Sequence, residues 1–536
     1  MDLLSRAVAR HREGRADEAE ALYRLALVRD PDEPNALFML AAFDRARGDH
    51  RSAMARLVKA IGAAPYRPEF RDSLGDVQRV LGDRQSALAS YDAAVRIDPQ
   101  RPAGWLRKAD LLIATGAVEE ALACLEHACL HCPDDAGLLD LNGVASMDAA
   151  LYRRAEHAFA AALRLAPGRG DLLVKHALAC LELGRLEQAI AGLRSALSGD
   201  AGGPAVENEL ALACFAAGRL DEGWAAYRAR WQAKGDAPPA ALASRPWDGR
   251  LRRDLRLLVC AEQGVGDQIM FAAGLAGLSA TIGSQGCLVV ECAPKLVPLF
   301  TRAWPMAVIQ PTDATPVPGT AGLIRASYGW IDAHEPLDAI THLGDLARHM
   351  QGRIDGSAYL RPDAARAAQW RDWLGALGSG PKIGICWRSS LSSAHRDNRV
   401  PPLVAWRQLF EAFPQARFVN LQYHDPDGSS WAPACAGTET QVHQPPDLNQ
   451  FDDLDGVAAL MDGLDLVVSV PTAVAALSAA LGRPTLRVLR GCDWALFGRP
   501  RRAPRSTQET VMLSREWYGP SAMAPVIAAA RARLGP

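Results

Sequence analysis

Leu257-Leu-Val-Cys-Ala-Glu-Gln-Gly-Val-Gly-Asp-Gln-Ile-Met-Phe271 decides how the second half of the chain is read. The apolar run from Leu255 to Cys260 predicts a buried strand. Glu262-Gln263-Gly264-Val265-Gly266-Asp267 forms a turn, and the apolar, Ala-rich segment beyond it predicts a helix. Strand, glycine turn and helix begin a βαβ unit. Gly264 and Gly266 let the backbone turn tightly and approach a ligand, and the helix N-terminus attracts anions. Asp267 then stands at the carboxyl end of a strand, where open α/β sheets bind ligands. The same pattern also fits a loop whose Asp merely caps the next helix.

Around this stretch, strands and helices alternate, which predicts parallel sheets. A first α/β half, 255–375, has strands at 255–260, 287–292 and 308–310, with a loop and helix over 338–350. Tyr359-Leu-Arg-Pro362 reads as a crossover into a second half, 376–536. That half has strands at 382–386, 417–422, 464–469 and 484–489, and an Ala-rich helix over 473–482. Three of its strand ends converge. Arg388, Ser389 and Ser390 follow the first strand, Gln422 ends the second, and Ser469, Pro471, Thr472 and Ala473 make the turn after the third. Free N–H groups at that helix start, with the Thr472 hydroxyl, suit a phosphate. Arg388, Arg396 and Arg399 are candidates to neutralise it, although a solvated basic loop has the same composition. Gln422 reads equally as a packing residue. Asp267, with Glu262 in reserve, is the candidate proton acceptor. Asp425-Pro-Asp427 reads as a surface turn.

Upstream, residues 1–234 repeat. Gly recurs at 14, 48, 82, 116, 184 and 218, with Ala150 in the one gap, always 34 residues apart. Small residues keep step at Ala19, Ala53, Ala87, Ala121, Ala155, Ala189 and Gly223, and large ones at Tyr23, Leu57, Tyr91, Leu125, Phe159, Leu193 and Tyr227. Gly ends one helix, Ala allows close approach, and the large residue fills the space between helices. This resembles the tetratricopeptide repeat, in seven units curling into a superhelix with a concave face. Asn35, Phe38, Arg71, Trp105, Asn142, His176 and Asn208 fall on the first helices of the units and are candidates for a groove that binds a polypeptide. Oligomerisation through the array is the competing use. Residues 235–254, with Pro238 and Pro239, read as a linker.

Composition narrows the classes. The formal net charge of −2 supplies no field to recruit nucleic acid or an anionic membrane. No apolar run approaches the roughly 20 residues of a membrane span. Eleven scattered Cys fit free thiols in a reducing, cytoplasmic setting. Cys129-Leu-His131-Cys132 has no partner pair at zinc-finger spacing and reads as helix-end packing, so no metal is expected. No dinucleotide fingerprint or P-loop lysine is present.

Glu262-Gln-Gly-Val-Gly-Asp-Gln-Ile-Met-Phe271, His342-Leu-Gly-Asp-Leu346, Trp387-Arg-Ser389, Asn420-Leu-Gln-Tyr423, Ser469-Val-Pro-Thr-Ala473, Leu481-Gly-Arg-Pro484 and Asp493-Trp494 occur in that order. Together they resemble bacterial tetratricopeptide-repeat glycosyltransferases of the GT-B type, most nearly the flagellin glycosyltransferases. That resemblance implies an N-terminal α-solenoid followed by two Rossmann-like domains. It implies metal-independent, inverting transfer of a sugar from a nucleotide donor to Ser or Thr of flagellin. The donor would be a nonulosonic acid such as pseudaminic acid on CMP, with no further cofactor. The second half would bind it, and Asp267 would match the proposed base. Relatives often carry Asp and His where this chain has Pro471 and Ala476. The alternative is therefore a catalytically silent adaptor.

Overall fold

The structure is a computed structural model that describes residues 3–233, 245–262, 264–282, 284–316, 324–350, 354–389, 399–425, 429–438, 440–499, 506–514 and 522–535. Pro238, Pro239, Ser390, Arg396 and Asp427 lie outside the described residues.

The 34-residue period becomes seven helix pairs. They are α1 Leu3–Arg12 and α2 Ala16–Arg29, α3 Pro34–Ala46 and α4 His50–Ala63, α5 Pro68–Val80 and α6 Arg84–Ile97, and α7 Pro102–Ala114 and α8 Val118–His131. Then come α9 Ala136–Asp148 and α10 Tyr152–Leu165, α11 Gly170–Glu182 and α12 Leu186–Leu197, and α13 Pro204–Ala216 and α14 Leu220–Ala226. The chain leaves each first helix through a left-handed residue. Six of the seven are Gly, with φ between 71° and 82°, and the seventh is Ala150 at φ 57°. Ala19, Ala53, Ala87, Ala121, Ala155 and Ala189 are wholly buried, and the large residues in step with them are buried too. At Gly143 the fit is so close that a Cβ would lie 2.3 Å from the Phe159 ring.

Two compact units divide the chain, Met1–Cys180 and Leu181–Pro536. The repeat period continues past this division, so α12, α13 and α14 belong to the second unit. The cause is aromatic packing. Phe215, Trp224 and Tyr227 of the last repeat gather with Phe497 and Trp494. Gly218 and Gly498 are so close that a Cβ on Gly498 would lie 2.5 Å from the Gly218 Cα.

The second unit holds two parallel sheets. In the first, β1 Arg256–Cys260, β2 Cys287–Cys292, β3 Val308–Pro311 and β6 Ala339–His342 are ordered β3-β2-β1-β6. In the second, β7 Lys382–Cys386, β8 Arg417–Asn420, β9 Val442–His443, β10 Leu466–Ser469, β11 Thr485–Arg490 and β12 Glu509–Ser514 are ordered β12-β11-β10-β7-β8-β9. A separate hairpin pairs β4 Asp313–Pro316 with β5 Ile324–Ser327. The sequence reading missed β6, β9, β12 and the hairpin. β6 has only four residues, Ala-Ile-Thr-His, and exists by pairing with β1 in the register Leu258↔Ile340. Side chains alternate between faces as a pleated strand requires. Leu257 and Val259 enter one core, and Leu258 and Cys260 another. The first of these cores is continuous with Val419, Val467, Val474 and Leu477 of the second sheet and its helix. The two sheets therefore share apolar packing.

Candidate functional site

Two strand-to-helix turns meet where the sheets pack. The helix Val265–Phe271, after β1, lies against the helix Ala473–Ala480, after β10. Gly266 permits this, because a Cβ there would sit 3.3 Å from the backbone N and Cα of Ala473. Backbone cannot move aside as a side chain can, so the absence of a Cβ at Gly266 sets the separation of the turns. The crossover segment holds the other ends of the two helices. Tyr359 Oη donates to the Ile269 carbonyl at 2.9 Å, and the Tyr359 and Leu360 N–H groups both donate to the Ala480 carbonyl, at 3.0 and 3.1 Å.

Asp267, one residue beyond Gly266 and half-buried, stands in the first turn of its helix, its carboxylate 3.5 Å from where a Cβ on Gly264 would lie. At the start of the helix Ala473–Ala480, Thr472 occupies the capping position in extended backbone, φ −142° and ψ 173°, without capping by its side chain. Its hydroxyl lies 3.1 Å from Ser469 Oγ and 3.8 Å from Cys386 Sγ. Among the described residues no side chain caps the first-turn N–H groups of Ala473–Ala480, which present the positive end of the helix dipole. Pro471 is exposed just before it. Ser469 is fully buried and also bonds the Val470 carbonyl, so it supports the turn rather than facing a ligand. Arg388 is exposed, its guanidinium 4.9 Å from the centre of the Trp387 ring, and Ser389 beside it is half-buried. Burial pushes the Cys386 thiol up to about 11, so it is no thiolate at neutral pH.

Several polar residues near the strand ends have their side-chain atoms engaged in fastening loops and segments. Gln422 is buried, and its Oε1 accepts from the Trp387 and Arg388 N–H groups at 3.1 and 3.0 Å. Its Nε2 donates to the Arg388 and Tyr423 carbonyls. Both ends of its amide are therefore occupied in holding the loop after β7. Glu262 is buried too. It accepts from Arg230 at 2.8 and 3.1 Å and from the Gly344 N–H at 2.5 Å, so it anchors the turn rather than serving as a base. Arg399 donates to the Cys492 carbonyl at 2.5 Å and lies 3.8 Å from Glu182, which commits it to holding segments together. Asp425, expected in a surface turn, is buried and accepts from Asn420 at 3.0 Å and Ser430 Oγ at 2.7 Å.

A polar cluster that sequence reading did not single out lies at the carboxyl ends of β1, β2 and β6. Arg230 bridges Glu262 and Asp345, the latter at 3.1 Å, and His342 approaches Asp345 at 3.7 Å. Burial works to raise the Asp345 carboxyl, but the nearby His342 ring and the Arg230 guanidinium bring it down to about 2. On β2, Glu291 is wholly buried, and one of its oxygens accepts from the Ala261 N–H at 2.9 Å while the other lacks a partner among the described residues. Burial lifts it to about 7, against the lowering effects of that N–H and of His342. A glutamate inside the apolar run Cys287–Cys292 was the available sequence signal.

In the array the groove candidates divide. Trp105 is buried, donates to the Pro99 carbonyl at 2.9 Å and stacks with His131, so it is core and not groove. Phe38 stacks on Phe70 with ring centres 4.8 Å apart. Asn142 accepts from Arg154 at 3.1 Å. Asn35 is exposed, while Arg71, His176 and Asn208 are half-buried.

The first half of the molecule is an array of tetratricopeptide repeats. The family model described as tetratricopeptide repeat matches residues 81–140 and again 142–204. Protein FlbA of Caulobacter vibrioides is 30% identical over 350 residues, which are 63% of this chain and 58% of that protein. The match thus spans less than two thirds of that relative's length. Among solved structures, a thermophilic TPR protein of Thermus thermophilus is 23% identical, over 34% of this chain and 98% of its own, with a TM-score of 0.27. YrrB, a TPR protein with an unusual peptide-binding site, is 17% identical over 33% and 91%, with a TM-score of 0.29. Among the described residues no helix is long and apolar enough to cross a membrane.

Proposed function

We propose that the chain is a protein O-glycosyltransferase of GT-B type, with repeats that hold a polypeptide acceptor such as flagellin. The donor is a nonulosonic acid such as pseudaminic acid carried on CMP. The observation that supports the reading is the meeting of the two turns, which brings a helix with Asp267 in its first turn against a helix start that Thr472 does not cap. Glycosyl transfer to a hydroxyl needs a base for the proton and a stabiliser for the departing phosphate. Asp267 accepts the Ser or Thr proton. The N–H groups of the Ala473–Ala480 helix and the Arg388 guanidinium receive the nucleotide phosphate. Pro471 and Ala476, where relatives carry Asp and His, remove a negative charge from the donor side, which suits a donor bearing its own carboxylate.

The test is calorimetric titration of CMP, UDP and GDP into the full chain. CMP binds, and Arg388→Ala weakens it at least tenfold. A preference for UDP would replace the sugar class while keeping the transferase. No heat with any of the three nucleotides would overturn the reading in favour of the catalytically silent adaptor.

A further inference from the structure

We infer that the repeat array contains a zinc site built from Glu156, His176 and Cys180. His176 and Cys180 are one helical turn apart on α11, so both project from one face. Glu156 projects from α10 toward the same point. The ligand atoms of the three residues all lie within 4.8 Å of one another. His176 Nε2 is 3.6 Å from a Glu156 oxygen and 3.9 Å from Cys180 Sγ.

These distances approach those a metal imposes. Tetrahedral zinc, with Zn–S near 2.3 Å and Zn–N and Zn–O near 2.0–2.1 Å, sets its ligands about 3.6 Å apart for S and N and about 3.3 Å for N and O. Both observed spacings exceed this by a few tenths of an ångström, which small side-chain rotations remove. Thiolate, imidazole and carboxylate together suit zinc and exclude magnesium and calcium, which take oxygen ligands. His157 Nε2 lies 3.5 Å from the Glu156 oxygen other than the one facing His176. The Cys180 residue is fully buried, while the His176 side chain is 23% exposed. With three protein ligands, the fourth position is left for water or a partner's side chain. This site is separate from the proposed transfer chemistry and ties two helices of adjacent repeats. The sequence concealed it, because Glu156 is far from the His-x-x-x-Cys pair along the chain.

The test uses the full chain, stripped of metal by a chelator, dialysed against one equivalent of zinc chloride and assayed for bound metal. One zinc per chain is expected, with a rise in melting temperature. Cobalt in its place is expected to give a thiolate-to-cobalt charge-transfer band. Cys180→Ser and His176→Asn each abolish that band, and Glu156→Gln weakens binding at least tenfold. Circular dichroism of each variant checks that its helices persist. No zinc retained by the folded parent, or equal zinc and an unchanged cobalt band in folded Cys180→Ser and His176→Asn, would overturn the site.

Discussion

The repeat array and the sheet region treat buried charge differently. In the array a buried carboxylate meets a base that remains partly in water. The Asp140 side chain is 12% exposed, while its partners Arg169 and Lys175 are 40% and 34% exposed. Asp72 and Arg101 follow the same pattern. Around the sheets many pairs are likewise half in water, as Arg302 and Asp455 are, but two arginines are buried together with their carboxylates. Arg230 and Glu262 are 4% and 1% exposed, and Arg487 is enclosed by Asp493 and Glu509 at 2.6 Å each. Water screens the first kind of pair and supplies a substitute when it breaks. A dry pair has no substitute, so loss of one member strands a buried charge. The array can spread its stability over many small, repeated contacts. The sheet region rests on a few singular ones that also fix its strand ends.

The contrast is broken most directly at Arg230. Arg230→Ala should cost about 3–5 kcal/mol by stranding Glu262 and Asp345, read as a loss of stability in urea unfolding. A cost below about 1 kcal/mol would show that water reaches the pair. The second largest effect concerns pH. Glu291 binds its proton more tightly folded, with its carboxyl lifted to about 7, than unfolded, where it titrates near the ordinary 4.5. Its contribution is therefore fully present below the unfolded value and is lost as pH rises from about 4.5 to 7, a change on the order of 3 kcal/mol. Glu291→Gln keeps an acceptor for the Ala261 N–H and should flatten that part of the stability profile. An unchanged profile would refute the assignment. In the array, by contrast, Arg169→Ala should cost at most about 1 kcal/mol, because Lys175 remains on Asp140. The smallest effect is a gain. Ala150 occupies the left-handed position that glycine holds in the other six repeats. Ala150→Gly should add about 0.5–1 kcal/mol, the relief of left-handed strain less the entropy returned to the unfolded chain. Calorimetric melting measures it, and a fall in melting temperature would show that the Ala150 methyl packs well enough to outweigh the strain.

What was legible in the sequence follows the same division. A period of 34 assigns each position the same work seven times, so the helix pairs, their glycine exits and their Ala and aromatic core could be read from spacing. Long central strands such as β1 and β7 could be read because burial on both faces makes them apolar throughout. β6 and β9 could not, because a short strand is defined by its neighbour and not by its own residues. The strand ends were the least legible. Asp267 and Glu262 are five residues apart and chemically alike, yet one stands half-buried in the first turn of a helix and the other is closed in by Arg230. Gln422, a candidate for the donor, and Asp425, expected in a surface turn, both have their polar atoms engaged in holding loops. Trp105 lay on the expected helix and faced inward. Spacing says where a side chain starts, and only the fold says what its polar atoms meet.

The proposed transfer rests finally on the Asp267 carboxylate. The direct measurement is the intact mass of flagellin incubated with the full chain and CMP-linked pseudaminic acid, followed over time for the parent and for Asp267→Asn. The account predicts addition of the sugar at Ser or Thr by the parent. It predicts a rate at least about 100-fold lower in Asp267→Asn, with unchanged melting temperature and CMP binding. A fully active Asp267→Asn would contradict the assignment of the base. Absence of any added mass with the parent would contradict the proposed donor and acceptor.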